Sequence, residues 1–319
     1  MFYPKSTQEI SKIISSYPKV KVVGAGHSFS PIVGCDQETA LINLDFMNKT
    51  LAFYYPPPYH PKISAREEEG IEEIYQDGLT DVHVEFEAGI RIAEIHKRLA
   101  KYGFAIETRG AISVQSLAGA TSTGTHGSSY THGSLSSLIT GIKILDGYGQ
   151  IIVANNQTNK NIFDSARTGL GAVGVVISIT LKVVDEFYLR KVEKTYELDE
   201  ILEKNEDWLK ENDYFFWYWV MNTNTGRVIK WNKVPQEQFQ KGFVHTIQDY
   251  IDRYDVILFS ALSAIVAKFP GYSRLYYQAM EKVLWSFNKE FVAESSRVFD
   301  VPTLPRYTYD AEYYFPREV

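Results

Sequence analysis

Val22-Val23-Gly24-Ala25-Gly26-His27-Ser28-Phe29-Ser30-Pro31 runs a β-branched strand straight into a glycine turn. Glycine leaves no Cβ between the backbone and a neighbour, and successive amides in such a turn form a nest for an anion. A dinucleotide pyrophosphate is a natural guest. Two glycines after a strand also describe an ordinary turn, so the stretch gains meaning only from its surroundings. A doubly wound nucleotide fold is one such setting, because Asp45, just after Leu41-Ile42-Asn43-Leu44, stands near the distance expected of a ribose-binding acid. That fold needs a helix directly after the loop. Pro31 and Gly34 interrupt any helix there, and Phe29 replaces the third glycine, which sets the doubly wound fold aside.

Two later stretches repeat the theme. Residues 110–129 mix glycines with hydroxyls in Gly110-Ala111-Ile112-Ser113-Val114-Gln115-Ser116-Leu117-Ala118-Gly119-Ala120-Thr121-Ser122-Thr123-Gly124-Thr125-His126-Gly127. Backbone and side-chain donors along so long a path suit a phosphate-rich ligand better than a core. A flexible linker is the bland alternative, but a helix and a strand precede this stretch and a hairpin follows it within one compact half. The third, Arg167-Thr168-Gly169-Leu170-Gly171-Ala172-Val173-Gly174, again feeds a strand, through Val176. Three such loops converging on one ligand is the expectation.

Composition narrows the setting. At 319 residues and 45% apolar content the chain can bury a large core, and its net charge of -6 offers no general attraction to a phosphate backbone, which speaks against nucleic acid as partner. The single cysteine, Cys35, excludes an internal disulfide and fits a reducing, intracellular location. The opening residues do not read as a secretory signal, and the apolar run 256–267 is shorter than the ~20 residues a bilayer requires, so a buried helix is expected there and nothing indicates a membrane. His126 and His132 lie close together, yet two histidines make a poor zinc site without further ligands.

Periodicity predicts strands at Lys19–Val23, 40–44 and 82–86, a helix through Ile92, Ile95, Leu99 and Tyr102 stopped by Gly103, a hairpin at 142–153 and a strand at 174–184. The segment with Tyr54-Tyr55-Pro56-Pro57-Pro58-Tyr59 and the acidic stretch of Arg66 to Glu69 with Glu72 and Glu73 reads as a solvated surface excursion. Beyond Val184 glycine becomes scarce and aromatics take over. Phe215-Phe216-Trp217-Tyr218-Trp219 is expected as a strand in a sheet core, and 272–291 as a helix. These features place one domain at 1–185 and a second at 186–319.

The order of motifs resembles the sugar-1,4-lactone oxidases and alditol oxidases, within the vanillyl-alcohol-oxidase-like FAD-linked oxidases. It runs Gly24-Ala25-Gly26-His27-Ser28-Phe29, then Leu41-Ile42-Asn43-Leu44-Asp45-Phe46-Met47-Asn48-Lys49, then Glu87-Ala88-Gly89-Ile90-Arg91, then the 110–127 loop. The resemblance covers most of residues 1–185. It implies an α+β fold: a two-subdomain PCMH-type FAD-binding domain followed by a partial α+β cap or substrate domain. It implies FAD bound by Val23, Gly24, Ala25, Gly26, His27, Ser28, Ala111, Ser116, Gly119, Thr123, Gly124, Thr125, His126, Gly174 and Val176, with a covalent bond at His27. Gly174 and Val176 would meet the adenosine end, and Ala111 stands where the family commonly has serine beside the flavin.

The implied activity is hydride removal from a carbinol of a small polyol or aldonolactone, with oxygen or another acceptor taking the electrons. The family's Glu-x-Arg strand and His-Trp-x-Lys tail are absent from the second domain, residues 186–319. Glu312-Tyr313-Tyr314-Phe315-Pro316-Arg317-Glu318 resembles a stretch after which relatives continue, so the chain is expected to be incomplete and its substrate-activating residues to be missing. A flavin-binding protein without turnover is the corresponding alternative.

Overall fold

The protein is described by a computed structural model, which covers residues 1–28, 32–34, 36–65, 70–108, 110, 112–219, 223–239, 268–272, 275, 278–279 and 288–298. Helix α1 (Thr7–Ser16) is capped by Ser6, whose hydroxyl accepts from the Glu9 amide, and it buries Ile10 completely. It leads into β1 (Lys19–Val23), which pairs in parallel with β2 (Thr39–Asn43). No helix lies between β1 and β2 among the described residues, which removes the doubly wound alternative.

A larger sheet follows in the order β4-β3-β5-β9-β7-β8, with β6 also on β9. Its members are β3 (Thr50–Tyr55), β4 (Glu72–Tyr75), β5 (Val82–Glu87), β6 (Phe104–Ala105), β7 (Ile139–Leu145), β8 (Ile151–Asn155) and β9 (Val175–Asp185), with helix α4 (Lys160–Ala166) between the last two. Strand alternation divides its residues cleanly. Val82, Val84 and Phe86 on β5 join Ile179, Leu181 and Val183 on β9 in one core with Ile92, Ile95 and Leu99 of α2 (Ile92–Lys101). The polar positions fall on the other face, where Glu85 is 2% exposed. Its carboxylate takes hydrogen bonds from Ser178 Oγ at 2.5 Å and Tyr54 OH at 2.9 Å, and pairs with Lys143 Nζ at 2.8 Å. Burial alone would raise the Glu85 pKa, but the Lys143 ammonium and the two hydroxyls outweigh it and hold the carboxyl below its ordinary range.

The expected surface excursion holds only in part: Pro57, Pro58, His60 and residues 62–64 are exposed, and residues 66–69 lie outside the described residues, but both ends of the segment are strand. Tyr54 and Tyr55 belong to β3, which lies inside the sheet between β4 and β5. Tyr55 is fully buried, stacking on Tyr59 with ring centroids 5.3 Å apart, and Glu72 and Glu73 begin β4. The proline run and the charges hid an alternation in which Phe53 and Tyr55 point inward.

Past Asp185 a second, antiparallel sheet begins, in the order β11-β12-β10-β13. It comprises β10 (Tyr188–Glu197), β11 (Tyr214–Trp219), β12 (Thr225–Val234) and β13 (Lys289–Glu294). Helix α5 (Leu198–Glu211) covers one face over Ile201, Trp208, Phe215 and Val228. The other face packs Leu189, Tyr214, Ile229, Trp231 and Ala293. On that face Arg227, 1% exposed, donates from Nε to Glu193 Oε1 at 2.9 Å, and Lys191 Nζ reaches Glu193 Oε2 at 2.9 Å. The aromatic run of β11 is core only at its start: Phe216, Tyr218 and Trp219 stay 38–45% exposed. The expected helix 272–291 cannot extend to its end, because Lys289 to Phe291 are strand; much of it, the apolar run 256–267 and Cys35 lie outside the described residues. Among the described residues no helix is long and apolar enough to cross a bilayer.

The turn between β5 and α2 joins these parts. Ala88 N donates to Ile177 O of β9 at 3.0 Å, Gly89 N to Met47 O at 3.0 Å, and Ala118 N returns a bond to Ala88 O at 3.1 Å. A Cβ on Gly89 would collide with the Leu44 carbonyl and lie 2.8 Å from Met47 O. Gly89→Ala should therefore cost about 1–3 kcal/mol of stability or more, read as a lower denaturant midpoint. A second expectation concerns acid. Because the folded pKa of Glu85 is depressed, its contribution is present above the unfolded value, about 4.3, and is lost as pH falls through the folded value. Glu85→Gln should be less stable at neutral pH yet lose less on acidification below about pH 4, which unfolding curves across that window would show.

Candidate functional site

β1 delivers residues 24–28 to the start of α3 (Leu117–Ser122), whose N-cap is Ser116. A Cβ on Gly24 would run into Ser116 Oγ and lie 3.6 Å from the Gly119 Cα; a Cβ on Gly119 would lie 2.8 Å from the same hydroxyl. The first and second glycine loops thus meet around the Ser116 hydroxyl, which occupies the space a side chain on either glycine would need. The two arms of the second loop also lie side by side. A Cβ on Gly110 would come within 2.8 Å of the Thr125 methyl, and Gln115 Nε2 donates to Thr125 Oγ1 at 3.4 Å.

Beside this meeting point Ala25, His27, Arg91, Ala93, Glu94 and Val114 line a groove of about 500 Å³. His27 is half-buried there. Arg91, the N-cap of α2, donates from Nη2 to Asp45 Oδ1 at 2.6 Å and from Nη1 to Val114 O at 3.2 Å. Asp45, which a ribose-binding role would need free, is therefore committed to a guanidinium. Ile92 N and Ala93 N donate to Gln115 O and Ser113 O at 3.0 and 2.8 Å, which fastens α2 to the second loop. The part of Arg91, Glu94 and Val114 was not legible from spacing. The one available signal was an arginine opening a helix directly after the Glu87-Ala88-Gly89 turn.

The remaining expected residues fall as follows. Val23 ends β1, Gly26 adopts φ 75° in the turn, and Ser28 is exposed. Thr123 donates from Oγ1 to Gly119 O at 3.0 Å, Gly124 turns the chain at φ 71°, and the exposed His126 contacts Gly127 O through Nδ1 at 2.8 Å. Gly174 is required by its own surroundings, since a Cβ there would lie 2.6 Å from the Leu145 carbonyl, and Val176, 8% exposed, belongs to the core. The third loop is thus tied to β7, and its described link to the other two runs through β9 and Ala88. Ala111 lies outside the described residues. Among the described residues no three His, Cys, Asp or Glu side chains gather as metal ligands.

This chemistry suits a phosphate-bearing cofactor. Side-chain bulk is missing where the loops touch, and Thr108, 1% exposed, leaves its hydroxyl without a partner among the described residues. A buried hydroxyl in that state costs about 1–3 kcal/mol until a ligand or water meets it.

A family model described as "FAD binding domain" matches residues 63–155, and one described as "D-arabinono-1,4-lactone oxidase" matches residues 179–319. The chain is 30% identical to a D-arabinono-1,4-lactone oxidase of Kluyveromyces lactis over 74% of its own length and 41% of that protein's. It is 29% identical to an L-gulonolactone oxidase of Bos taurus over 72% of its length and 47% of that protein's. It therefore spans less than half the length of these relatives. In fold it matches a cholesterol oxidase from Brevibacterium sterolicum with a TM-score of 0.68 at 17% identity, over 94% of this chain and 58% of that one. With two glycine loops joined beside a histidine-lined groove and both halves matched by these models, the chain belongs to the sugar-lactone oxidase family of FAD-linked oxidases, built on the PCMH-type fold.

Proposed function

We propose that the chain holds FAD between its first and second glycine loops, attached through His27, and oxidises a carbinol of a small sugar lactone or polyol, passing the electrons to oxygen or another acceptor. The contact of Gly24 with Ser116 and Gly119 beside the His27 groove carries this reading. The lactone oxidases among the relatives support an aldonolactone as substrate class. A bound flavin supplies the hydride acceptor.

The chain's own residues supply the rest. Val23, Gly24, Ala25, Gly26 and Ser28 present a side-chain-poor edge for a pyrophosphate, and Ser116, Gly119 and residues 123–126 present a second edge opposite it. Ala111 and Gly174 with Val176 complete the proposed cradle, the last two through their backbone. Arg91, held in place by Asp45, brings positive charge to the groove that His27 shares. The single cysteine fits an intracellular setting, at a membrane surface or away from one.

Absorbance of the purified chain before and after acid precipitation tests the reading: colour is expected to stay with the pellet. His27→Ala should move it to the supernatant, and a colourless chain that FAD does not reconstitute would end the proposal. Gly24→Val fills the space between the loops and is expected to reduce flavin content at least about 10-fold, measured as the ratio of flavin to protein absorbance.

A further inference from the structure

β11 and β12 of the second sheet hold both arms of the second glycine loop, and they do so largely around one residue. Tyr214, 1% exposed, donates its hydroxyl to the Glu107 backbone carbonyl at 2.7 Å. The next residue, Phe215, donates its backbone N–H to Ser128 O at 3.0 Å. The Glu107 carboxylate lies 3.3 Å from Lys233 Nζ on one oxygen and 3.7 Å from His132 Nδ1 on the other. The His132 ring in turn sits 6.0 Å from that of Tyr214. Glu107 leads into the first arm, directly before Thr108, whose hydroxyl has no partner among the described residues, and Gly110, while Ser128 and His132 follow His126 in the second.

A buried phenol must find an acceptor or lose stability. Tyr214 finds its acceptor in the loop of the other domain. Burial, reinforced by Glu107 and then Asp213, pushes its pKa up, so it stays a neutral donor through the working range. The carboxylate beside it is partly buried and is shared between a cation of the second sheet and a histidine of the loop's far arm. One carboxylate spanning both arms ties their separation to the placement of β11 and β12.

Resting on the FAD reading above, we infer that Tyr214 and Glu107 are positioning residues for the flavin: through them the second sheet sets the geometry of the loop that faces the cofactor. Docking of that sheet and order in the cradle then stabilise each other, as coupled equilibria require.

The test uses the full chain loaded with FAD, with the flavin made exchangeable in a His27→Ala background. Tyr214→Phe keeps the ring and removes only the hydroxyl; Glu107→Gln keeps the shape and removes the charge. Each is expected to shift the visible flavin bands and the flavin reduction potential and to release FAD about 3- to 10-fold faster. Lys233→Met should do the same more weakly, and Lys233→Arg should restore the parent values. A purely structural role would lower the melting temperature while leaving spectrum, potential and release rate at parent values, and that result overturns the inference with the FAD reading intact. A parent chain that binds no FAD overturns both.

Discussion

Gly89 is where the architecture is pinned. The space a side chain would occupy is taken by the carbonyls of Leu44 and Met47, so the turn after β2 can lie directly on the turn after β5. The neighbouring Ala88 completes the junction by bonding β9 on one side and α3 on the other. Through these few backbone groups the small parallel pair, the large sheet and the second glycine loop share one frame. The meeting of Gly24 with Ser116 and Gly119 is a consequence of that frame, since residues 24–28 follow β1 and α3 is itself held by Ala88.

Two kinds of polar interaction build on this frame, and their environments differ. On the large sheet Glu85 is taken out of water and satisfied from three sides, so removing any partner leaves a desolvated charge. At the groove the Asp45–Arg91 pair is only about two-thirds buried, where its Coulomb energy is modest and its main effect is to aim a guanidinium. Placement also separates the glycines by role. Gly89 and Gly174 are required by close approach of other backbone and Gly24 is crowded by the Ser116 hydroxyl, whereas Gly26 and Gly124 serve turns with room around them.

Local pattern was readable wherever period and punctuation agreed. Ile92, Ile95 and Leu99 with Gly103 marked α2, and the β-branched run after Gly174 marked β9, because alternation and helical spacing survive in any window of suitable length. β3 and β4 were misread because tyrosines, prolines and glutamates are common in loops, and only the aromatic cluster around Tyr55 and the parallel pairing of β4 make them strands. β11 was recognised as a strand, but which of its aromatics are covered depends on α5 and on β12.

By itself the sequence determined the chemistry on offer: loops stripped of side-chain bulk, hydroxyls and a histidine beside them, and a motif order specific enough to indicate the family. Tertiary structure decided which loops meet, that Asp45 serves Arg91, that Arg91 and Val114 share the groove of His27, and that Glu107 joins the two sheets. The division has a physical cause. Backbone bulk and hydrophobic period are properties of neighbouring residues in the chain, whereas an ion pair or a close approach between residues tens of positions apart exists only once the intervening sheet has set their distance.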